Sequence, residues 1–82
     1  MRIISQSGQY DVPYEVVAIM QIDNLIYALP MGIDKPMMVA EYSSDEEAFR
    51  EMTRLQRYAE LNARNHREYP MFKFKAASWN CE

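Results

Sequence analysis

The order of apolar and polar positions along the chain predicts several short strands, one long helix and a final strand. β-Branched and aromatic residues cluster in short runs with few charges, which is typical of strands. Most of these runs are apolar at successive positions, which indicates a sheet with one face under a helix and the other only partly wet. The predicted strands are residues 2–6, 15–22, 25–29, 37–42 and 72–75.

Segments that contain Gly, Pro, Asp or Asn separate the predicted strands. Residues 7–8 and 31–36 each contain a glycine and predict a turn and a loop. Residues 23–24, Asp-Asn, predict a tight hairpin turn, because both residue types tolerate turn conformations. Residues 11–13 predict a break in the strand pattern, since Pro13 cannot donate a hydrogen bond to a central strand.

Residues 44–47, Ser-Asp-Glu-Glu, predict the start of the helix. In a capping box the Ser44 hydroxyl accepts a hydrogen bond from the Glu47 amide, and the Glu47 carboxylate reaches back to the preceding turn. Apolar residues then recur at helical spacing and predict one face that packs on the sheet. This predicted face consists of Ala48, Met52, Leu55, Ala59 and Asn62 or Ala63, with Phe49 beside it.

The opposite face of the predicted helix is charged. Acid and base lie four residues apart in the pairs Glu46 with Arg50, Glu60 with Arg64 and Arg64 with Glu68. Each such pair adds about 0.2–0.5 kcal/mol to a helix. Residues 69–70, Tyr-Pro, close the helical region, because the residue before a proline is disfavoured in the helical conformation.

These elements predict an α+β fold in which a small antiparallel sheet of four to five strands packs against one long amphipathic helix, in the order β-β-β-β-α-β. Residues 1–76 form a single domain in this interpretation, and residues 77–82 form a C-terminal tail. Eighty-two residues allow one core, and chains of this size often depend on a disulfide, a metal or a partner subunit. Cys81 is the single cysteine, so a homodimer is the remaining option.

Candidate chemistry in the sequence is sparse. His66 is the single histidine and has no second ligand at a recognised metal spacing, and Cys81 has no neighbouring base. The acids Asp45, Glu46 and Glu47 are explained by the start of a helix. No glycine-rich phosphate loop and no nucleophile elbow is present in the sequence. We therefore expect no enzyme activity, no catalytic or metal site and no cofactor.

The net charge of −3 conceals an uneven distribution along the chain. Residues 1–47 hold eight acids and two bases, and residues 48–82 hold seven bases and four acids. Such asymmetry can select partners. The acidic candidates for partner binding are Asp23, Asp34, Asp45, Glu46 and Glu47. A less favoured alternative is an arginine ridge on the predicted helix, formed by Arg50, Arg54, Arg57 and Arg64 around Leu61, which would contact phosphates or an acidic protein.

Several segments together resemble a known group of proteins. They are the opening Met-Arg-Ile-Ile-Ser-Gln of residues 1–6, Gly8, the Asp-Val-Pro-Tyr-Glu of residues 11–15, and the Ala-Glu-Tyr-Ser of residues 40–43 before an acidic helix start. In these the chain resembles short proteins encoded in phages and prophages of Gram-positive gut bacteria. Members of that group tend to end in an acidic stretch after a Phe-x-Phe pair, from which Lys75 and the residues after it depart. The resemblance carries over no functional residue.

The resemblance implies a context in which small proteins bind and disable a machine of the bacterial host, and inhibitors of CRISPR effector nucleases are frequent among them. Some such inhibitors occupy the basic channel that otherwise holds DNA, so the first hypothesis is a stoichiometric CRISPR inhibitor that acts by DNA mimicry in the host cytoplasm. The second is a structural or regulatory phage protein that self-associates through its sheet. The third is a nucleic-acid binder that uses the arginine ridge, and direct nucleic-acid binding is the least favoured. No membrane partner is expected, because the longest apolar run is too short to span a bilayer.

Overall fold

A computed structural model of the chain describes residues 1–65 and 71–77. Six strands, a short 3₁₀ turn and one helix make up this part of the chain. In order they are β1 (Arg2–Ile4), β2 (Asp11–Pro13), the 3₁₀ turn Tyr14–Val16, β3 (Val17–Ile22), β4 (Leu25–Pro30), β5 (Met37–Glu41), α1 (Asp45–Asn65) and β6 (Met71–Lys73). The predicted α+β class is confirmed, and so are the hairpin between β3 and β4 and the single long helix.

The strands form two three-stranded sheets, so the predicted single sheet of four to five strands is wrong. One sheet has the order β2-β1-β6, in which β1 is antiparallel to β2 and parallel to β6. The other is the antiparallel meander β3-β4-β5. The described chain therefore follows the order β-β-β-β-β-α-β, with one strand more than predicted.

The additional strand is β2, at the segment where a break was predicted. Pro13 lies at the end of β2 opposite Arg2, and β2 is an edge strand of its sheet. A proline at the edge of a sheet leaves the inner hydrogen-bond ladder intact, and this is why the segment still forms a strand. Arg2 also pairs with the Asp11 carboxylate across the two strands.

Gln6 joins the two sheets. Its backbone amide donates to the Val39 carbonyl at 2.7 Å. Its side-chain amide exchanges two hydrogen bonds with the backbone of Glu41, donating at 3.1 Å and accepting at 3.0 Å. It also donates to the Lys75 carbonyl at 3.0 Å. Gln6 therefore occupies the outer edge of β5 in place of a further strand.

Helix α1 begins as predicted at a serine cap. The Glu47 amide donates to the Ser44 hydroxyl at 3.1 Å. The Glu47 carboxylate reaches back one residue further than expected and accepts from the Ser43 amide at 3.0 Å. The described helix ends at Asn65, and the predicted stop at residues 69–70 lies outside the described residues.

The core lies where α1 crosses the two sheets. Leu55 is only 2% exposed, and Ala48, about two turns earlier on the same face, is fully buried, so the predicted inner face of the helix is confirmed at these positions. Phe49 departs from that prediction, because its side chain is 64% exposed. The largest side chains packed with this face are Ile3, Ile26, Tyr42, Phe72 and Phe74.

One further finding concerns the C-terminal end of the described chain. Ala77, which belongs to the predicted tail, is 1% exposed and is part of the core cluster. Residues 78–82 lie outside the described part of the chain.

In the described ranges no helix has the length and apolar character needed to cross a membrane.

Candidate functional site

The β3–β4 hairpin turn and the start of α1 meet at one end of the molecule. The Gln21 side-chain amide donates to the carbonyl oxygens of Asp23 at 2.8 Å and Asp45 at 3.1 Å, and so holds the two backbones side by side. Asn24 adds a second link, since its side-chain amide donates to the Tyr42 carbonyl at 2.7 Å. Acidic residues that are 22 positions apart in the sequence therefore lie next to each other.

A shallow hollow of about 430 Å³ opens beside this junction, lined by Gln21, Asp45, Glu46, Phe49 and Arg50. The Phe49 ring forms part of its wall and stays largely exposed to solvent. On the neighbouring strand the side chain of Ile22 is also exposed. We call Asp23, Asp45, Glu46 and Phe49 the acidic–aromatic end of the molecule.

The structure brings together most, but not all, of the predicted acidic residues. Asp34 lies in the loop after β4, at the other end of that strand from Asp23. Five residue steps along β4 separate these two ends by about 17 Å. Glu47 lies near the acidic–aromatic end, but its carboxylate is used as a cap for the helix.

The predicted arginine ridge is broken at Arg54. The Arg54 guanidinium donates two hydrogen bonds to Glu51, at 3.0 and 2.8 Å, and one to the Lys73 carbonyl at 2.8 Å. It also lies 4.3 Å from the centre of the Phe72 ring. Arg54 thus attaches α1 to β6. Of the other ridge residues, Arg50 and Arg57 are exposed, while the side chain of Arg64 lies outside the described part.

Glu51 is the centre of a buried polar cluster. Its carboxylate, 7% exposed as a residue, accepts the Lys75 amide at 3.0 Å in addition to Arg54. The Tyr42 hydroxyl donates to the Lys75 carbonyl at 2.8 Å and lies 3.4 Å from the same carboxylate. The cluster fastens the helix to the chain that follows β6.

The pKa values in this cluster follow from its geometry. Burial alone raises the pKa of Glu51, but the hydrogen bonds from Arg54 and from the Lys75 amide outweigh it and leave this pKa below its ordinary value. The hydrogen bond to Glu51 raises the pKa of Arg54 despite partial burial. Burial, and then the charge of Glu51, raises the pKa of Tyr42 well above its ordinary value. Near neutral pH Tyr42 is therefore neutral, and Glu51 and Arg54 are both charged and paired with each other. This arrangement stabilises the fold.

Within residues 1–65 and 71–77 no group of three or more potential ligands is placed to hold a metal ion. His66 and Cys81, the single histidine and the single cysteine of the sequence, lie outside the described residues. Glu46 and Arg50, a pair predicted from their spacing, both line the hollow, and Glu51 forms an ion pair with Arg54, three residues apart on the same helix.

Sequence reasoning missed Glu51 and misplaced Phe49. Glu51 lies three residues after Ala48 and four before Leu55, so helical spacing alone places it on the buried face. Phe49 lies one position after Ala48, which turns it about 100° away from that buried residue. Spacing was therefore the signal that could have identified both residues.

Comparison of the chain with family models, with curated proteins and with solved structures gives no match.

Proposed function

We propose that this domain acts by stoichiometric binding to a basic protein surface, which it contacts through the acidic–aromatic end. The observation that supports this proposal most directly is Phe49, a large aromatic side chain that is 64% exposed next to the carboxylates of Asp45 and Glu46. Aromatic residues are enriched at the centres of protein interfaces, where one or two of them carry much of the binding energy.

The chemistry of the end favours a partner rich in arginine or lysine. A guanidinium or ammonium group can stack on the Phe49 ring, while the carboxylates of Asp23 and Glu46 attract the same positive surface. Because the acidic groups have few described ionic partners here, a basic partner would supply their counter-charges. Arg50 also lines the hollow and would repel positive charge. It would therefore favour a partner whose basic residues lie nearer to Asp45.

The resemblance to phage-encoded proteins makes a bacterial CRISPR effector nuclease the first target to test. The acidic–aromatic end would occupy part of the basic channel that otherwise holds DNA. Its carboxylates are gathered at one end, and Asp34 lies apart from them, in the loop at the other end of β4. This arrangement supports a compact contact with a few basic side chains better than imitation of a long duplex.

The test is a DNA-cleavage assay with a purified CRISPR effector loaded with its guide RNA and titrated with this protein. Wild-type protein should inhibit at near-equimolar amounts, and inhibition should weaken with added salt, since the Debye length is about 8 Å at physiological ionic strength. Phe49→Ala should raise the inhibition constant by about tenfold or more, as for an interface anchor. Glu46→Lys should raise it as well, while Asp34→Lys serves as the matched control at the far end and should leave it unchanged.

Reversal of the exposed arginines separates the hypotheses. Arg50→Glu and Arg57→Glu should leave inhibition intact or improve it, since Arg50 lines the hollow that would receive the basic partner, and Arg54 is unsuitable for this test because it holds the fold together. If these two reversals abolish inhibition while Glu46→Lys is harmless, the contact is with guide RNA or an acidic protein surface. Absence of inhibition by the wild-type protein would refute the CRISPR target and leave a self-associating structural or regulatory phage protein.

A further inference from the structure

Strand β3 forms one edge of the β3-β4-β5 sheet, and its outward backbone groups are unused. Within the described residues, no hydrogen bond reaches the outward N–H and C=O groups of Val17, Ile19 and Gln21. A row of unpaired backbone groups on a strand is a template for pairing with another strand.

The phase of the β3–β4 ladder identifies these outward residues. A two-residue turn makes Ile22 and Leu25 the first pair of the hairpin. At the other end of the ladder, the Met31 amide donates to the Val16 carbonyl at 2.8 Å. Hydrogen-bonded pairs alternate along an antiparallel ladder. The backbone N–H and C=O groups of the even-numbered residues of β3 therefore bond to β4, and those of the odd-numbered residues point away from β4, toward the open edge.

The other described sheet edges carry features that block pairing. Edge strand β2 has three residues and ends in Pro13. The Lys73 carbonyl of β6 is taken by the Arg54 side chain, and the outer edge of β5 is occupied by Gln6. Edge strand β3, by contrast, has six residues, Val-Ala-Ile-Met-Gln-Ile, with no charge and no proline.

A groove runs beside the open edge on the side of the helix. Its volume is about 430 Å³. The side chains of Val17 and Ile19 line this groove and are half-buried. The groove is lined by Tyr14, Glu15, Val17, Ile19, Met52, Leu55 and Gln56. A strand added at this edge would place its own inward side chains in the groove and complete the cover on this side of the core.

We propose that the added strand is β3 of a second copy of this chain, paired antiparallel about a two-fold axis at Ile19. In this register Ile19 faces Ile19 of the second copy, and Val17 faces Gln21 in both directions. All three pairs are of the hydrogen-bonded type, so about six intermolecular N–H···O bonds form. The two sheets then become one sheet of six strands with a closed, isologous interface.

The properties of β3 favour a second copy over a peptide from another protein. Its side chains are uncharged, so two copies of the strand create no charge repulsion when they pair. A chain of 82 residues with one cysteine also gains from association, because domains of this size bury little apolar surface alone. At each end the register places Glu15 near Asp23 of the second copy. Because the Glu15 carboxylate is paired with the N-terminal ammonium at 2.6 Å, the two ends repel each other little, and the dimer should depend only weakly on salt.

Sedimentation equilibrium of the wild-type protein tests the proposal. The apparent mass should rise from the 9.7 kDa of one chain to twice that value as the concentration increases from about 1 μM to about 1 mM. The concentration at which the mass rises should change little with added salt, whereas binding of a basic partner at the acidic–aromatic end should weaken. A mass that stays at 9.7 kDa throughout overturns the dimer and leaves the β3 edge to an extended segment of another protein.

Paired charge variants test the register. Ile19→Lys and Ile19→Glu should each remain at the mass of one chain, and an equimolar mixture of them should regain the doubled mass, because residue 19 faces itself across the axis. Met38→Lys, at an exposed apolar position of β5, is the matched control and should dimerise as the wild type does. Dimers of the separate Ile19 variants, or a folded mixture that stays monomeric, would overturn this register.

Amide hydrogen exchange of the wild type tests the same register without a substitution. Amides of Val17, Ile19 and Gln21 should become at least tenfold more protected at high protein concentration. Amides of Ala18 and Met20 should be protected at both concentrations, because they bond to β4. Exchange at residues 17, 19 and 21 that does not depend on concentration would contradict the proposal even if the Ile19 variants fail to fold.

Discussion

On the flank of α1 that faces β6, the charged carboxylate of Glu51 is buried and paired with Arg54, whereas on the flank that faces β3 the aromatic ring of Phe49 is exposed to solvent. This inverts the usual distribution, in which charges lie outside and rings lie inside. Glu51 has a hydrogen-bond partner for each carboxylate oxygen. Phe49, by contrast, lines an open hollow together with Asp45 and Glu46.

The difference separates residues that hold the fold from residues that are free to bind. A buried charge is tolerated where it is paired and hydrogen-bonded, and the Glu51–Arg54 pair attaches α1 to the strand that returns to β1. An exposed large ring gains nothing for the fold and is available to a partner. If this division holds, substitutions at the buried face and at Glu51 should lower the stability most, and substitutions at the exposed end should change it little.

The buried face between the two flanks should give the largest effect. Leu55→Asp places an unpaired charge at a site that is 2% exposed, and the cost exceeds the few kcal/mol of stability that a domain of this size has. Circular dichroism should show an unfolded chain at 25 °C. Leu61→Asp, on the same helix at a side chain that is 56% exposed, is the matched control and should keep the wild-type Tm. A cooperative transition for Leu55→Asp near the wild-type Tm would show that the inner face of α1 is wrongly assigned.

Removal of the Glu51 carboxylate should cause the second-largest loss of stability. Glu51→Ala leaves Arg54 without its ion pair and the Lys75 amide without its acceptor, which should cost about 2–4 kcal/mol in the free energy of unfolding. The lower part of the range for buried pairs applies, because Arg54 is itself one-third exposed. Urea denaturation measures this loss. Glu46→Ala, five residues earlier on the exposed flank, should change the free energy of unfolding by less than about 0.5 kcal/mol, and equal losses in the two variants would remove the contrast between the flanks.

Acid should weaken the same contact. The pKa of Glu51 is lower in the folded chain than its ordinary value of 4.5, because Arg54 and the Lys75 amide outweigh the effect of burial. The unfolded chain therefore binds this proton first, so the stabilisation is fully present above about pH 4.5 and is lost as pH falls through the lower, folded pKa. Denaturation measured between about pH 6 and pH 3 should show this decline, and Glu51→Gln should flatten it. An unchanged slope in Glu51→Gln would assign the acid sensitivity to other carboxylates.

Local patterns in the sequence identified the helix, its serine cap and the β3–β4 hairpin, since each depends on residues close together in the chain. The division into two sheets depends instead on the parallel pairing of β1 with β6 and on the Gln6 side chain, which join segments 69 residues apart. No periodicity encodes such contacts. The grouping of Asp23 with Asp45 likewise depends on Gln21, a polar residue within a strand. The sequence indicated which acids were available but not that Asp34 lies apart from them.

The smallest effect is expected at Asp23, where stability and binding should change in opposite directions. Asp23 has φ of 55° in the hairpin turn, a conformation that costs a residue with a Cβ atom about 1 kcal/mol and that glycine adopts freely. Asp23→Gly should therefore raise the free energy of unfolding by about 0.5 kcal/mol, after allowance for the greater flexibility of glycine in the unfolded chain. The same change removes one carboxylate from the acidic–aromatic end and should slow association with a basic partner by about two- to threefold. Asp23→Asn, which removes the charge and keeps a side chain suited to the turn, should slow association equally without the gain in stability. If Asp23→Gly stabilises the chain and association is unaffected, Asp23 serves only the turn, and the binding surface is confined to Phe49 and the first turn of α1.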